Sequence, residues 1–466
     1  MRNATAKFLK NRVRLLTACL ALYAAYLVFA FVFFGSQGLL WILHLLAPPL
    51  VLELALRLVL HAVYGRHYRY ALFSYFFVDH PVYGYTFRAN ASARRVPFLI
   101  FDKFAFRGGA EQSLALRENI NGRTDFNVNS RGYRGPEFSP KKNNPNTIRI
   151  FTSGDSATVC AFNDDAETWP ARLERELRAR GLDVEVINAG MGAWPLYQQR
   201  LRFEREIVNY EPDVVLLHAG WNEEFIYSMQ NLGKSWRPEM LLNSVELKTM
   251  YSHVGPVLSS TISLLFHSLV ASYFYDYRFK KNMNFASPAR WACLQAREYL
   301  ENWFDNLVKI AALARDRGIK LYTINHPGLP TFEDTEVDRK LYVRYSKLTP
   351  IYADYQAVSK KRVQKALLEA TPIATCIDVE REMDSFTGQA RLDFFYDKIH
   401  LSPKGNAVLA KIISEKLLAD PGFLQKGSNV NYDEALAKSI RNKIGQNEKS
   451  LQEFIDRTIV SLQNTP

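Results

Sequence analysis

Cysteine is scarce in this chain. Cys19, Cys160, Cys293 and Cys376 are the only four among 466 residues, and no two have C-x-x-C spacing. A disulfide scaffold and a zinc ribbon are thereby excluded. No cluster of His, Asp and Glu has metal-ligand spacing either, so neither a metal nor another cofactor is expected. Internal repeats are absent. Acidic residues are few at one end: residues 1–150 hold 7 Asp/Glu against 20 Lys/Arg, while the remainder is nearly balanced at 40 against 39. A nucleic-acid binder carries its basic residues on a folded domain, interleaved with aromatics. Here the whole positive excess lies beside the most apolar stretch, which suits an anionic membrane surface and gives no sign of a nucleic-acid partner. What is present in quantity is globular: 48% hydrophobic and 23% charged residues, in a chain longer than one ordinary domain.

Residues 15–34, LLTACLALYAAYLVFAFVFF, carry no charge. As a helix they are long enough for a hydrocarbon core of about 30 Å. Arg2, Lys7, Lys10, Arg12 and Arg14 precede them, which makes residues 1–14 a basic cytoplasmic tail and residues 15–63 a membrane anchor. The run is too long for a cleaved leader and no A-x-A site follows it. The second apolar stretch, 39–63, is interrupted by Pro48 and Pro49, and Glu53, Arg57 and His61 form one polar stripe. It either spans, with 35–38 as a hairpin turn, or lies flat in the interface. The two readings put the rest of the chain on opposite faces of the cell membrane, and the sequence leaves that face open.

Residues 64–146 read as an irregular, strand-containing region, aromatic and basic, closed by the loop 141–146. From Thr147 the pattern becomes regular. Ile148–Thr152, Val184–Asn188, Val214–His218, Lys320–Asn325 and Ala374–Asp378 are short buried-strand runs. Helical patterns separate them: one with Trp169, Leu173 and Leu177 on one face, one from Arg290 to Arg317, and one after Pro403. The expectation is an α/β fold, a three-layer α/β/α sandwich around a parallel sheet, spanning 147–424 with an insertion at about 224–290. Residues 425–466 form a polar, helix-prone, peripheral tail.

Ligands of an open parallel sheet bind beyond the carboxyl ends of its strands, and polar clusters stand there. Ser153-Gly154-Asp155-Ser156 follows the first strand, and Asn188-Ala189-Gly190-Met191-Gly192-Ala193 ends the second. Gly220-Trp221-Asn222-Glu223 follows the third, and Asp397-Lys398-Ile399-His400 comes near the end. The set resembles the SGNH (GDSL-type) hydrolase family, four motifs in family order over about 147–418. The G-x-S-x-G elbow of the other large serine hydrolase fold is absent.

A serine hydroxyl needs an adjacent base to act as a nucleophile at neutral pH. His400 is the candidate base for Ser156, and Asp397, three residues earlier, can hold the imidazole in the right tautomer. The resemblance implies oxyanion donors at the backbone of Ser156, a backbone N–H of the second motif, and the Asn222 amide. In that second motif the usual glycine falls on Ala193, with Gly192 just before it, so the donor is one of the two. Glu223 stands where aspartate is commoner. Read blandly, Ser156 and Asn222 are helix caps and His400 a buried structural histidine. Asp155 reads as a positioning hydrogen-bonder, Cys160 as a small buried apolar residue, and His326 as a satisfied loop histidine that could approach the site.

The resemblance and the anchor together imply a bacterial, membrane-integral serine esterase. It would remove acyl groups, acetyl above all, from an envelope glycan or a lipid-linked saccharide. An O-acyltransferase with the same triad, or a degenerate glycan-binding module, are the alternatives. Residues 254–279 of the insertion are largely apolar and read as a helix covering the sheet, or as a lid that meets the membrane. Substrate identity and oligomeric state are not written in these residues.

Overall fold

Buried parallel strands need side chains that fill both faces of a sheet, and the β-branched runs of this chain do so. In a computed structural model, five strands form one parallel sheet: β5 (Ile148–Gly154), β6 (Val184–Gly190), β7 (Val214–His218), β8 (Lys320–Ile324) and β9 (Thr375–Ile377), in the order β6-β5-β7-β8-β9. The structure describes residues 47, 51, 76–97, 123–223 without 193 and 219, and 287–464 without 296, 297, 347, 348, 445, 447 and 448. All the elements named here belong to one compact unit, 73–252 with 281–466. Residues 15–34, nearly all of 39–63, and the apolar segment 254–279 of the insertion lie outside the described residues. Among the described residues no helix is long and apolar enough to cross a membrane.

The helices in chain order are α1 (Ser156–Val159), α2 (Trp169–Ala179), α3 (Leu196–Arg205), α4 (Pro288–Cys293), α5 (Glu298–Asp316), α6 (Glu336–Ser346), α7 (Pro350–Glu369), α8 (Val379–Met383), α9 (Gly388–Leu392), α10 (Pro403–Ala419), α11 (Glu434–Ile444) and α12 (Lys449–Gln463). Alternation along the strands assigns them to two layers. Phe151, Val215, Leu217 and Leu321 pack with Trp303, Leu307 and Ile310 of α5 and Ala366 and Leu367 of α7. Ile150, Leu216, Tyr322 and Ile324 face the other way, onto Trp169, Leu173 and Leu177 of α2 and Leu409, Ile413 and Leu417 of α10. The result is a parallel sheet with helices on both faces.

Three details differ from the sequence reading. The helix placed at Arg290–Arg317 is two helices, α4 and α5, because α4 ends at its cap, Leu294. The helix α7 carries Lys360 and Arg362 among its buried residues, so its inward face is not an apolar stripe and the periodicity conceals it. The tail, read as polar and peripheral, also buries side chains: Ile440 and Ile444 join the core beside α5, while Leu451 and Ile455 pack with Trp291 and Tyr355.

Ahead of the sheet lie two antiparallel pairs. The strands β1 (Phe77–His80) and β2 (Gly84–Phe87) form a hairpin, and β3 (Ser92–Pro97) pairs with β4 (Arg123–Asn127). Arg134, downstream of β4, is buried, and its guanidinium donates to the carbonyls of Val159 and Cys160 at the end of α1.

Register decides where the polar motifs meet. Gly154 of β5 stands opposite both Gly190 of β6 and His218 of β7, and His218 stands opposite Ile324 of β8. Four strands thus end at one level, and their four following loops emerge side by side.

Candidate active site

Ser156 is the first residue of α1, a single turn. Asp155 caps it, accepting a hydrogen bond from Ala157 N–H at 2.9 Å, and Cys160 closes it in a left-handed conformation at φ 51°. The turn sits directly on the neighbouring strand. A Cβ on Gly190 would lie far inside van der Waals contact with Val159 N, and one on Gly154 would lie 2.7 Å from the His218 carbonyl. Glycine at these two strand ends is what lets α1 approach so closely.

His400 comes from the other end of the chain. A short antiparallel bridge between Phe395 and Leu401, with Tyr396 N–H donating to the His400 carbonyl at 2.8 Å, closes the turn that carries it. Within that turn one oxygen of Asp397 accepts the N–H groups of Ile399 and His400 at 2.8 and 2.7 Å, and the other lies 2.7 Å from His400 Nδ1. His400 Nε2 lies 3.0 Å from Ser156 Oγ, and both residues are nearly buried. With Nδ1–H donating to Asp397, Nε2 is left as an acceptor for the serine proton. Burial opposes the Asp397 charge, but His400 and the two N–H groups outweigh it and hold the carboxyl down to about 2. The Phe162 ring meets His400 edge-on at 4.9 Å.

The structure therefore brings Ser156, His400 and Asp397 into one hydrogen-bonded line. Asn222 stands beside them. Its amide nitrogen is 3.3 Å from an Asp155 oxygen and 3.4 Å from the Trp194 carbonyl, both long bonds. The Gly192 carbonyl accepts the Tyr85 hydroxyl at 2.7 Å. Ala193, the other expected donor of the second motif, lies outside the described residues. Glu223 accepts the N–H of Leu196 at 2.6 Å, so it anchors the start of α3.

Behind the line is a buried polar layer. Asp155 is pushed up to about 7 by burial, partly offset by the Ala157 N–H and His400. Burial also raises Glu223 to about 7. His326 Nε2 lies 3.5 Å from Asp155, and its ring stacks on His218 at 3.7 Å between centroids. His218 Nδ1 is 3.0 Å from Thr158 Oγ1. Burial lowers His218 to about 3 and carries His326 well below its ordinary value, so both rings are neutral. His326 thus approaches the site from behind, through Asp155. Cys160 is buried, its thiol pushed up to about 12 by that burial, which leaves it no thiolate character. Among the described residues no group of three or more His, Cys, Asp or Glu is placed to hold a metal ion.

Sequence reasoning passed over Tyr85 and Arg134. Neither had a signal: Tyr85 is one of 24 tyrosines, and Arg134 is one basic residue among many in the irregular region 64–146.

A family model described as GDSL-like Lipase/Acylhydrolase matches residues 150–413. Among solved structures, TesA is similar at 15% identity and a TM-score of 0.33, covering 58% of this chain and 98% of its own. The acetyl xylan esterase AlAXEase is similar at 14% and 0.32, covering 58% of this chain and 99% of its own. Axe2, an acetylxylan esterase from Geobacillus stearothermophilus, is similar at 11% and 0.31, covering 58% and 93%. No curated protein matches the sequence.

Proposed function

The chain belongs to the GDSL-like lipase/acylhydrolase family and is a serine hydrolase acting on esters, and from that premise we propose that Ser156, His400 and Asp397 are its catalytic triad and that it removes O-acyl groups, acetyl first, from an envelope glycan or lipid-linked saccharide. The observation that carries the assignment is the continuous line from Asp397 through His400 to Ser156, at 2.7 and 3.0 Å.

In the proposed mechanism Ser156 Oγ attacks the ester carbonyl while its proton passes to His400 Nε2. Asp397, ionised at neutral pH, stabilises the imidazolium. The carbonyl oxygen becomes an oxyanion, stabilised by N–H groups around Ser156 and Gly192–Ala193 and by the Asn222 amide. Collapse breaks the bond to the sugar oxygen, which leaves with the proton from His400. Water then gives a proton to the same nitrogen as it attacks the acyl-enzyme, and collapse breaks the bond to Ser156 Oγ, which takes that proton back from His400 as the carboxylic acid leaves.

The preference for a membrane-bound saccharide rests on the uncharged stretch 15–34 and the positive excess of the first 150 residues. On this reading the protein is integral to the cell membrane. The test is acetate release from a peracetylated oligosaccharide by the full-length protein, with and without an unacetylated saccharide as acceptor. We expect free acetate from the wild type and none from Ser156→Ala. Acetyl transfer to the acceptor in place of acetate release would make the enzyme an O-acyltransferase with the same acyl-enzyme. Equal release by Ser156→Ala would remove Ser156 from the mechanism.

A further inference from the structure

The hairpin β1–β2 lies well upstream of the segment that matches the family model, yet it reaches the candidate site. Tyr85, in β2, is 1% exposed, and its hydroxyl donates to the Gly192 carbonyl across 107 residues of sequence. Its neighbour Tyr83 is equally buried. The two rings approach Trp194 at 5.4 and 6.1 Å, tilted by 58° and 63°. Gln198, in the first turn of α3, ties the hairpin down by donating to the Tyr83 carbonyl at 2.6 Å. The same Trp194 presents its carbonyl to the Asn222 amide at 3.4 Å. The hairpin therefore meets Gly192 and Trp194, between β6 and α3, and Trp194 in turn touches Asn222.

Backbone bonds also hold Met191 and Trp194. Met191 N–H donates to the Gly154 carbonyl at 3.0 Å, and Trp194 N–H donates to the Met191 carbonyl at 3.4 Å. Between these two bonds stands Gly192, whose missing side chain leaves its backbone free to rotate. A bond to the Gly192 carbonyl steadies Gly192, one of the two residues that the family resemblance offers as a backbone donor to the oxyanion. Oxyanion donors stabilise charge only when they are aimed before the charge forms. A backbone free to rotate would aim such a donor only part of the time.

We infer that Tyr85 is a positioning residue for ester cleavage: its hydroxyl, supplied from outside the family core, holds Gly192, a candidate oxyanion donor, in place. The inference rests on the proposed triad. The alternative is a buried phenol whose bond contributes only stability. Tyr133 provides the control for that alternative. It too is buried, and its hydroxyl donates to Glu206 at 2.9 Å, in a contact that includes no residue of the site.

The experiment compares full-length wild type, Tyr85→Phe, Tyr133→Phe and Ser156→Ala with p-nitrophenyl acetate, measuring kcat, KM and melting midpoint. Both phenylalanine variants lose one buried hydroxyl and are expected to melt lower by similar amounts. Only Tyr85→Phe is expected to lose kcat, by about tenfold, with KM unchanged, since an oxyanion donor acts in the transition state alone. A wild-type kcat in Tyr85→Phe, or an equal fall in Tyr133→Phe, would overturn the inference. Full activity in Ser156→Ala would instead overturn the triad on which it rests. Should Tyr85→Phe fail to fold, 3-fluorotyrosine placed at position 85 keeps the ring and alters only the strength of the donor. A changed kcat is then expected, and an unchanged one overturns the inference.

Discussion

Asp397 serves two partners with one carboxylate: it closes the turn by accepting two backbone N–H groups, and it orients His400 through Nδ1. Its pKa lies at about 2 in the fold, below the ordinary value of about 3.9. The folded carboxylate is therefore stabilising above pH ~4, and this is lost as the pH falls toward 2, an effect of roughly 2 kcal/mol. Asp397→Asn should show both roles. Its kcat for p-nitrophenyl acetate is expected to fall by about 10⁴ through loss of the correct tautomer. Its urea midpoint should also vary less than that of the wild type between pH 5 and pH 2. A variant with a large loss of activity and an unchanged acid profile would leave Asp397 as an orienting group only. The hydrogen-bonded line of Ser156, His400 and Asp397 was legible in the sequence because a serine nucleophile requires a base and an orienting acid, and Asp397 and His400 share one short turn. Tyr85 was not legible, since nothing local distinguishes a tyrosine that meets a carbonyl 107 residues away.

At the scale of elements, the site depends on how closely α1 lies against β6. The segment Ser156-Ala157-Thr158-Val159 contains two β-branched residues and is a poor helix by propensity. A local cap, Asp155, holds it at one end and a tertiary contact, the Arg134 guanidinium, at the other. Its periodicity therefore carries no helical signal; the sequence offered Ser156 itself as the cap, one residue late, whereas the strands were plain. A fully buried strand such as Val214–His218 writes its environment in its own side chains. Close approach at Gly190 gives a prediction. Gly190→Ala forces α1 away from the strand, so a loss of about 1–3 kcal/mol is expected from overpacking. Because Ser156 moves with α1, kcat should fall by more than stability alone explains in protein that is still folded at the assay temperature. Chemical denaturation and kcat measured on the same preparation check both. A Gly190→Ala variant with wild-type kcat would mean that α1 tolerates displacement without losing the Ser156–His400 contact.

At the scale of the whole molecule, the family match covers 150–413, but the described site is not confined to it. Arg134 and the β1–β2 hairpin reach in from upstream, while α11 and α12, downstream, add buried isoleucines and leucine to the core rather than to the site. The three-layer arrangement was legible because strands and helices alternate with the right periods. The docking of the tail was harder to read, since helices that bury only a narrow stripe look polar by composition. The central claim is that an activated serine stands where the four strand-end loops converge. Active-site labelling with a fluorophosphonate, followed by peptide mapping of the full-length protein, tests it most directly. The account predicts a single phosphonate adduct on Ser156, absent from Ser156→Ala. An adduct on another residue, or none on folded wild-type protein, would contradict it.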